Sequence, residues 1–229
     1  MKIGILFLHG YTGGRYELLS LIEYLSERYD FIIEAPEYPG HGLNLLIKDT
    51  DEQMWYDRAE RSYNLLRKKV DVVVVVGFSM GGIIAGLLAK LQQPDKLVMI
   101  APAFENMNLQ YLIQSPYKFI NNMRHTDLKI LEFMLFRTMK ISYQSFLSFK
   151  KLQQSALYVP EQIDTKTLII HGTIDGLVPI DKSRTLVKRI KNARLVEIER
   201  GPHEICLSKV NKKVFYEVEK FIFKNELKN

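Results

Sequence analysis

Residues 72–82, VVVVVGFSMGG, constrain the fold more than any other stretch of this 229-residue chain. Valine carries two heavy atoms on Cβ, which stiffens the side chain and suits an extended backbone. Five in a row with no polar alternation describe a central strand, buried on both faces of a parallel sheet. The residues that follow, GGIIAGLLAK, read as a helix. Between strand and helix stands Ser79, with Gly77 two residues before it and Gly81 two residues after. The chain must therefore turn sharply out of a buried strand, with a hydroxyl at the turn.

Elsewhere short apolar runs alternate with amphipathic segments. That is the pattern of an α/β protein, a mostly parallel central sheet with helices on both faces. Residues 3–8, 31–35, 97–101, 167–171 and 194–198 join 72–76 as predicted strands. Residues 16–28, 52–69, 81–92, 181–191 and 207–224 are the predicted helices. The length suits one domain over residues 1–229. Residues 103–160 interrupt the alternation, separating two strands by more than a crossover helix needs, and read as a helical insertion. This span holds ten of the 25 aromatic residues and four of the eight methionines. Seven Lys/Arg against three Asp/Glu give it +4 of the chain's +6.

Several function classes fall away. The pI is near 9.2, but Lys and Arg are scattered and no nucleic-acid motif accompanies them. The basic run from Lys182 to Arg194 reads as a helix with a solvated charged face. The apolar run in MKIGILFLHG ends too early for a signal peptide. No stretch approaches the roughly 20 apolar residues of a membrane span. The single cysteine, Cys206, permits no intramolecular disulfide. A cytoplasmic protein without stable membrane insertion or nucleic-acid partner is the expectation. Neither metal-ligand spacing nor a dinucleotide fingerprint is present, so no metal and no cofactor is expected.

Gly77-Phe78-Ser79-Met80-Gly81 has the form G-x-S-x-G, in the strand–turn–helix setting that gives the form meaning. The turn strains the serine backbone and projects Oγ beyond the carboxyl edge of the sheet, and the glycines allow two backbones to approach closely. Helix N–H groups point at any anion formed there. A serine hydroxyl attacks only when a base takes its proton. Of the five histidines, His203 in ERGPHEI lies just past the last strand, where a loop can bring it to Ser79. His171 ends a strand and reads as locally hydrogen-bonded; His125 lies in the insertion. The base needs a carboxylate to fix its tautomer. Asp175 in HGTIDGLVP fits that need, whereas its rival Asp181 looks like a helix N-cap. In LHGYTGG, after the first strand, the backbone N–H of Tyr11 pairs with that of Met80 as a candidate oxyanion hole.

Together LHGYTGG, EYPGHG, GFSMGG, HGTIDGLVP and GPHEI make the chain resemble the α/β-hydrolase superfamily, in particular small bacterial carboxylesterases and monoacylglycerol lipases. The matches run in order from about residue 3 to 224, with the insertion where that family carries its cap. Pro202 departs from the small polar residue or glycine that many relatives hold before the histidine. The resemblance implies an α/β-hydrolase fold with a helical cap at about 103–160. It also implies a serine hydrolase with a catalytic triad of Ser79, Asp175 and His203, oxyanion N–H groups from Tyr11 and Met80, and an acyl-enzyme intermediate.

The expected partner is a small-molecule ester with an apolar, short-to-medium acyl group, such as a monoacylglycerol. Aromatics and methionines of the insertion either line the site or form the cap's own core. A thioesterase, amidase or C–C hydrolase would use the same triad, and a non-catalytic binding protein could share the fold. Trp55 is expected to pack on the core, His41 to hydrogen-bond the active-site loops and Cys206 to be a buried hydrophobe. Loss of activity as pH falls through about 6.5 is expected from an ordinary histidine base.

Overall fold

The structure is a computed structural model that describes residues 1–105, 107–108 and 141–224. Most of the predicted insertion, His125 included, lies outside the described residues. Six strands form one sheet: β1 (Ile3–Leu8), β2 (Ile32–Glu34), β3 (Val72–Phe78), β4 (Lys96–Ile100), β5 (Thr167–Gly172) and β6 (Ala193–Ile198). Their order is β2-β1-β3-β4-β5-β6, and every pairing is parallel. This is the α/β-hydrolase fold that the motifs imply.

The valines sit in an interior strand. Side chains alternate across a strand, so Val73 and Val75 enter one core while Val74 and Val76 enter the other. All four are fully buried. The first core packs α2 (Glu52–Arg67), α3 (Met80–Gln92), α4 (Tyr143–Ser155) and α5 (Ile180–Arg189) against the sheet. The second packs α1 (Tyr16–Ser26) and α6 (Asn211–Glu219) on the opposite face. Trp55 is fully buried in the first core, and Cys206 is buried in the second.

Three local readings need adjustment. β2 is three residues long rather than five, because as an edge strand it pairs only with β1 through Ile32–Glu34. The predicted helix over 207–224 is shorter: a 3-10 turn at Ile205–Leu207 precedes α6, and a π turn at Lys220–Lys224 follows it. Asp181 is not an N-cap. Pro179 holds that position, and Asp181 sits in the first turn of α5, paired with Arg184 at 2.9 Å. The basic face of α5 is ion-paired: Lys182 meets Glu105, Arg184 meets Glu197, and Arg189 meets Glu161.

The topology also places a site. After β1 the chain moves to one side of the sheet, to β2; after β3 it moves to the other, to β4. The carboxyl ends of β1 and β3 therefore flank a switch point, where open parallel sheets form ligand crevices. LHGYTGG leaves β1 at that point, and GFSMGG leaves β3.

Candidate active site

Ser79 occupies the turn between β3 and α3 with φ 53° and ψ −114°, a strained conformation for a residue with a Cβ. The turn is held by backbone bonds. Ser79 N–H donates to Ile100 O at 2.9 Å, and its carbonyl accepts from Gly82 and Ala103. Close approach explains the motif's glycines. A Cβ on Gly77 would lie 2.2 Å from Gly81 O, and one on Gly81 would lie 2.1 Å from Leu8 O.

His203 follows β6 through Gly201 and Pro202 and is buried beside the serine. Its Nε2 lies 3.1 Å from Ser79 Oγ, and its Nδ1 lies 2.7 Å from Asp175 Oδ2. An ionised carboxylate only accepts, so Nδ1 carries the proton and Nε2 is left to receive the one on Ser79. The ring also packs on Phe78, with centroids 5.1 Å apart.

Asp175 lies in the loop after β5. Its Oδ1 accepts the N–H groups of Leu177 and Val178, both at 2.9 Å. Besides His203, Oδ2 meets Nε2 of His171 at 3.0 Å. Burial alone would raise the Asp175 pKa. The charge of His203, with hydrogen bonds from His171 and His203, outweighs burial and holds the carboxyl well below the usual range. Burial likewise pulls His203 down, but the charge and hydrogen bond of Asp175, helped by Glu204 and Glu17, leave its pKa above the ordinary 6.5.

The loop after β1 closes the other side. Its fold depends on Glu17, a buried carboxylate on α1 whose Oε2 accepts the Gly10 N–H at 2.8 Å. Gly13 lies against the same carboxylate, so closely that a Cβ there would meet Oε2 at 2.1 Å. Thr12 takes a left-handed φ of 61°. His9 donates from Nδ1 to Gly10 O at 2.9 Å and accepts the Tyr38 N–H at Nε2. Burial, and then His41, lowers its pKa to about 3, so the ring is neutral.

Tyr11 lines the pocket with Ser79, and Met80 follows the serine in the chain. Met80 begins α3, with its side chain fully buried. The Tyr11 ring stacks on Phe149 of α4, centroids 4.9 Å apart, and its hydroxyl donates to Ser145 Oγ at 2.9 Å. Ser145 in turn donates to Ser142 O. Burial, partly offset by Ser145, raises the phenol to about 12. Gly10, Tyr11, Thr12, Ser79 and His203 line one pocket with Glu17, and Met107, Ile141 and Leu177 add apolar wall.

The structure thus brings Ser79, His203 and Tyr11 to one pocket, with Asp175 bonded to the far nitrogen of His203 and Met80 directly after the serine in the chain. His41 behaves differently from expectation. Its Nδ1 bonds Pro39 O within its own turn, and the ring packs edge-on against Trp55. The tie between that turn and the loop is a backbone bond, Gly42 N–H to Gly13 O at 2.9 Å. Sequence reasoning missed Glu17, Ser145 and Phe149, and it missed the contact of His171 with Asp175. The insertion's described aromatics divide: Phe104 and Phe149 are buried, whereas Tyr143 and Tyr158 are exposed. Among the described residues no group of three or more His, Cys, Asp or Glu is placed to hold a metal ion. No helix among them is long and apolar enough to cross a membrane.

A parallel six-stranded sheet with a strained serine at its switch point defines an α/β-hydrolase. Residues 49–214, more than two thirds of the chain, match the model of the FSH1 serine hydrolase family, and the chain belongs to that family. The chain is 21% identical over 227 residues to a carboxylesterase of Bacillus subtilis (strain 168), covering 96% of this chain and 92% of the relative. Over 94 residues it is 29% identical to a thermostable monoacylglycerol lipase of Bacillus sp. (strain H-257), covering 41% and 37% of the two chains. A solved structure from work on the metagenome-derived lipolytic enzymes LipS and LipT superposes with a TM-score of 0.78 at 18% identity. It covers 98% of this chain and 94% of that one. The protein is a serine hydrolase.

Proposed function

We propose that the protein hydrolyses carboxylic esters with short-to-medium acyl chains in two steps, with Ser79 as nucleophile, His203 as base and Asp175 as the acid that orients it. The observation carrying this reading is the continuous row from Ser79 Oγ to His203 Nε2 at 3.1 Å and from His203 Nδ1 to Asp175 Oδ2 at 2.7 Å. Ser79 Oγ attacks the ester carbonyl carbon as its proton passes to His203 Nε2. The oxyanion is met by the N–H groups of Tyr11 and Met80, each worth about 2.7–4 kcal/mol in the transition state. Collapse breaks the C–O bond, and the alcohol leaves with the proton from His203. Water, deprotonated by the same imidazole, then attacks the acyl-enzyme. The carboxylic acid departs and Ser79 regains its proton.

The wall of the pocket supports this substrate class. Phe78, Met107, Ile141 and Leu177 offer apolar surface for an acyl chain, while Thr12 and Glu17 offer polar atoms near the reacting centre. A monoacylglycerol, with one chain and free hydroxyls, has that division. Met107 and Ile141 belong to the 103–160 insertion, which on this reading serves as the cap that limits chain length.

The test is hydrolysis of p-nitrophenyl esters from acetyl to palmitoyl, comparing wild type with Ser79→Ala. A rate that peaks at intermediate length and vanishes in the variant is the expected result. No Ser79-dependent turnover at any length would refute it.

A further inference from the structure

Two imidazoles, not one, meet Asp175. His171, fully buried at the end of β5, brings Nε2 to 3.0 Å from Oδ2, the oxygen that accepts from His203 at 2.7 Å. Its N–H aims at the carbonyl of Val178, 2.8 Å away, with Oδ2 beside that line. On the far side of the ring, Nδ1 lies 2.7 Å from Ser183 Oγ on α5. Nε2 faces two acceptors, a carbonyl and a carboxylate, so it carries a proton. In the neutral ring the Ser183 hydroxyl then donates to Nδ1.

These contacts close a loop on the acid. Val178 donates its N–H to Asp175 Oδ1 and gives its carbonyl to His171, so one imidazole grips both the turn and the carboxylate. Filling space would not require this. A buried imidazole costs desolvation unless its nitrogens are satisfied, and here both are spent on the acid's turn and its neighbouring helix.

We propose that His171 is a positioning residue that fixes the Asp175 turn and divides the charge of Oδ2 between two imidazoles. The proposal rests on the reading of Ser79, Asp175 and His203 as nucleophile, acid and base. An oxygen shared by two donors gives less to each, so without His171 it would serve His203 alone. The His203 imidazolium would gain, and the base would titrate higher. The other charged neighbours stay in place: Glu17 and Glu204 act on His203, while Glu197, in register with His171 on β6, is paired with Arg184.

The experiment is an NMR titration of the His203 ring in wild type, His171→Gln and His171→Leu. It needs no substrate, so inactivity toward esters cannot imitate failure of the proposal. A fluorophosphonate probe, by contrast, reports the catalytic reading alone, through labelling of Ser79 in wild type. H171L is expected to raise the His203 pKa by roughly 0.5–1 unit. H171Q, whose amide N–H can stand where Nε2–H was, is expected to keep the wild-type value. Ser183→Ala, which frees the ring from α5, is expected to give a smaller upward shift and provides the reading if H171L does not fold. An unshifted His203 in H171L, or in S183A where that variant must substitute, overturns the proposal. So do equal shifts in H171L and H171Q, which would mark a packing role.

Discussion

Gly81, in the first turn of α3, lies so close to Leu8 at the end of β1 that a Cβ on it would sit 2.1 Å from the Leu8 carbonyl oxygen. Two motifs some seventy residues apart in sequence thus touch through bare backbone, where the turn of the proposed nucleophile meets the loop after β1. Gly81→Ala must push the start of α3 away from the end of β1. It should destabilise the fold by more than about 3 kcal/mol, read from the urea midpoint, and lower activity even in the fraction that folds. A midpoint within error of wild type would show that the contact relaxes freely.

Ser79→Ala should lower kcat by at least about 10³-fold, and Asp175→Asn by about 10⁴-fold, because the amide favours the wrong imidazole tautomer. Steady-state hydrolysis of p-nitrophenyl butyrate measures both. Stability should change little in S79A, since among the described residues the hydroxyl's hydrogen-bond partner is the His203 ring.

The pH dependence of kcat/KM should fall on its acid side above 6.5 rather than at it. Burial works against the charged ring, but Asp175 prevails and raises the His203 pKa. Protonation removes the base, so the rate declines as pH drops through that raised value. An acid limb below 6.5 would contradict this environment.

Acid should also weaken the fold, through different histidines. Burial lowers His9 to about 3, with His41 adding to it, and lowers His41 to about 4. The unfolded chain binds a proton at each below about 6.5, whereas the folded chain does not until these lower values. Stability is therefore fully present above 6.5 and lost as pH falls, by up to about 1.4 kcal/mol per pH unit for each group. His203 has the opposite sign. Its contribution is complete below 6.5 and is lost as pH rises through its raised pKa, so it does not alter the slope below 6.5. His41→Phe should flatten the slope between pH 6.5 and 4.5 by about 1 kcal/mol per unit, measured by urea unfolding. His41 suits the substitution because its Nε2 has no hydrogen-bond partner among the described residues.

Tyr11→Phe should cost about 1 kcal/mol of stability, the worth of the hydroxyl's bond to Ser145, with kcat nearly kept because the backbone N–H remains. A large fall in kcat at unchanged KM would instead give the phenol a part in the chemistry.

What was legible in sequence was whatever a local pattern carries. Five valines announce a buried strand because β-branching and the absence of polar alternation act within the stretch itself, and β3 begins at Val72 as read. The strand runs on through Gly77 and Phe78 to the serine, which residue types alone do not reveal. Glu17 looked like an ordinary acidic residue in the first turn of a helix. Its burial depends on a loop folding back over it. His171 showed itself as locally bonded, but its contact with Asp175 depends on how the 173–178 turn closes. Asp181 misled because its neighbourhood resembles a helix start, while Pro179, with φ already suited to that role, starts the helix two residues earlier.

Phe149 against Tyr11 joins two parts of the chain that are far apart in sequence. Ser79, Asp175 and His203, the proposed nucleophile, acid and base, follow β3, β5 and β6, and their spacing is set by the sheet. Tyr11 is gripped instead by α4, the closing helix of the insertion. A chimera that exchanged residues 103–160 for a foreign segment would keep its reacting row intact yet inherit a new clamp on the oxyanion loop. Substrate range and turnover would then change together, and shuffling such segments could not tune one without the other.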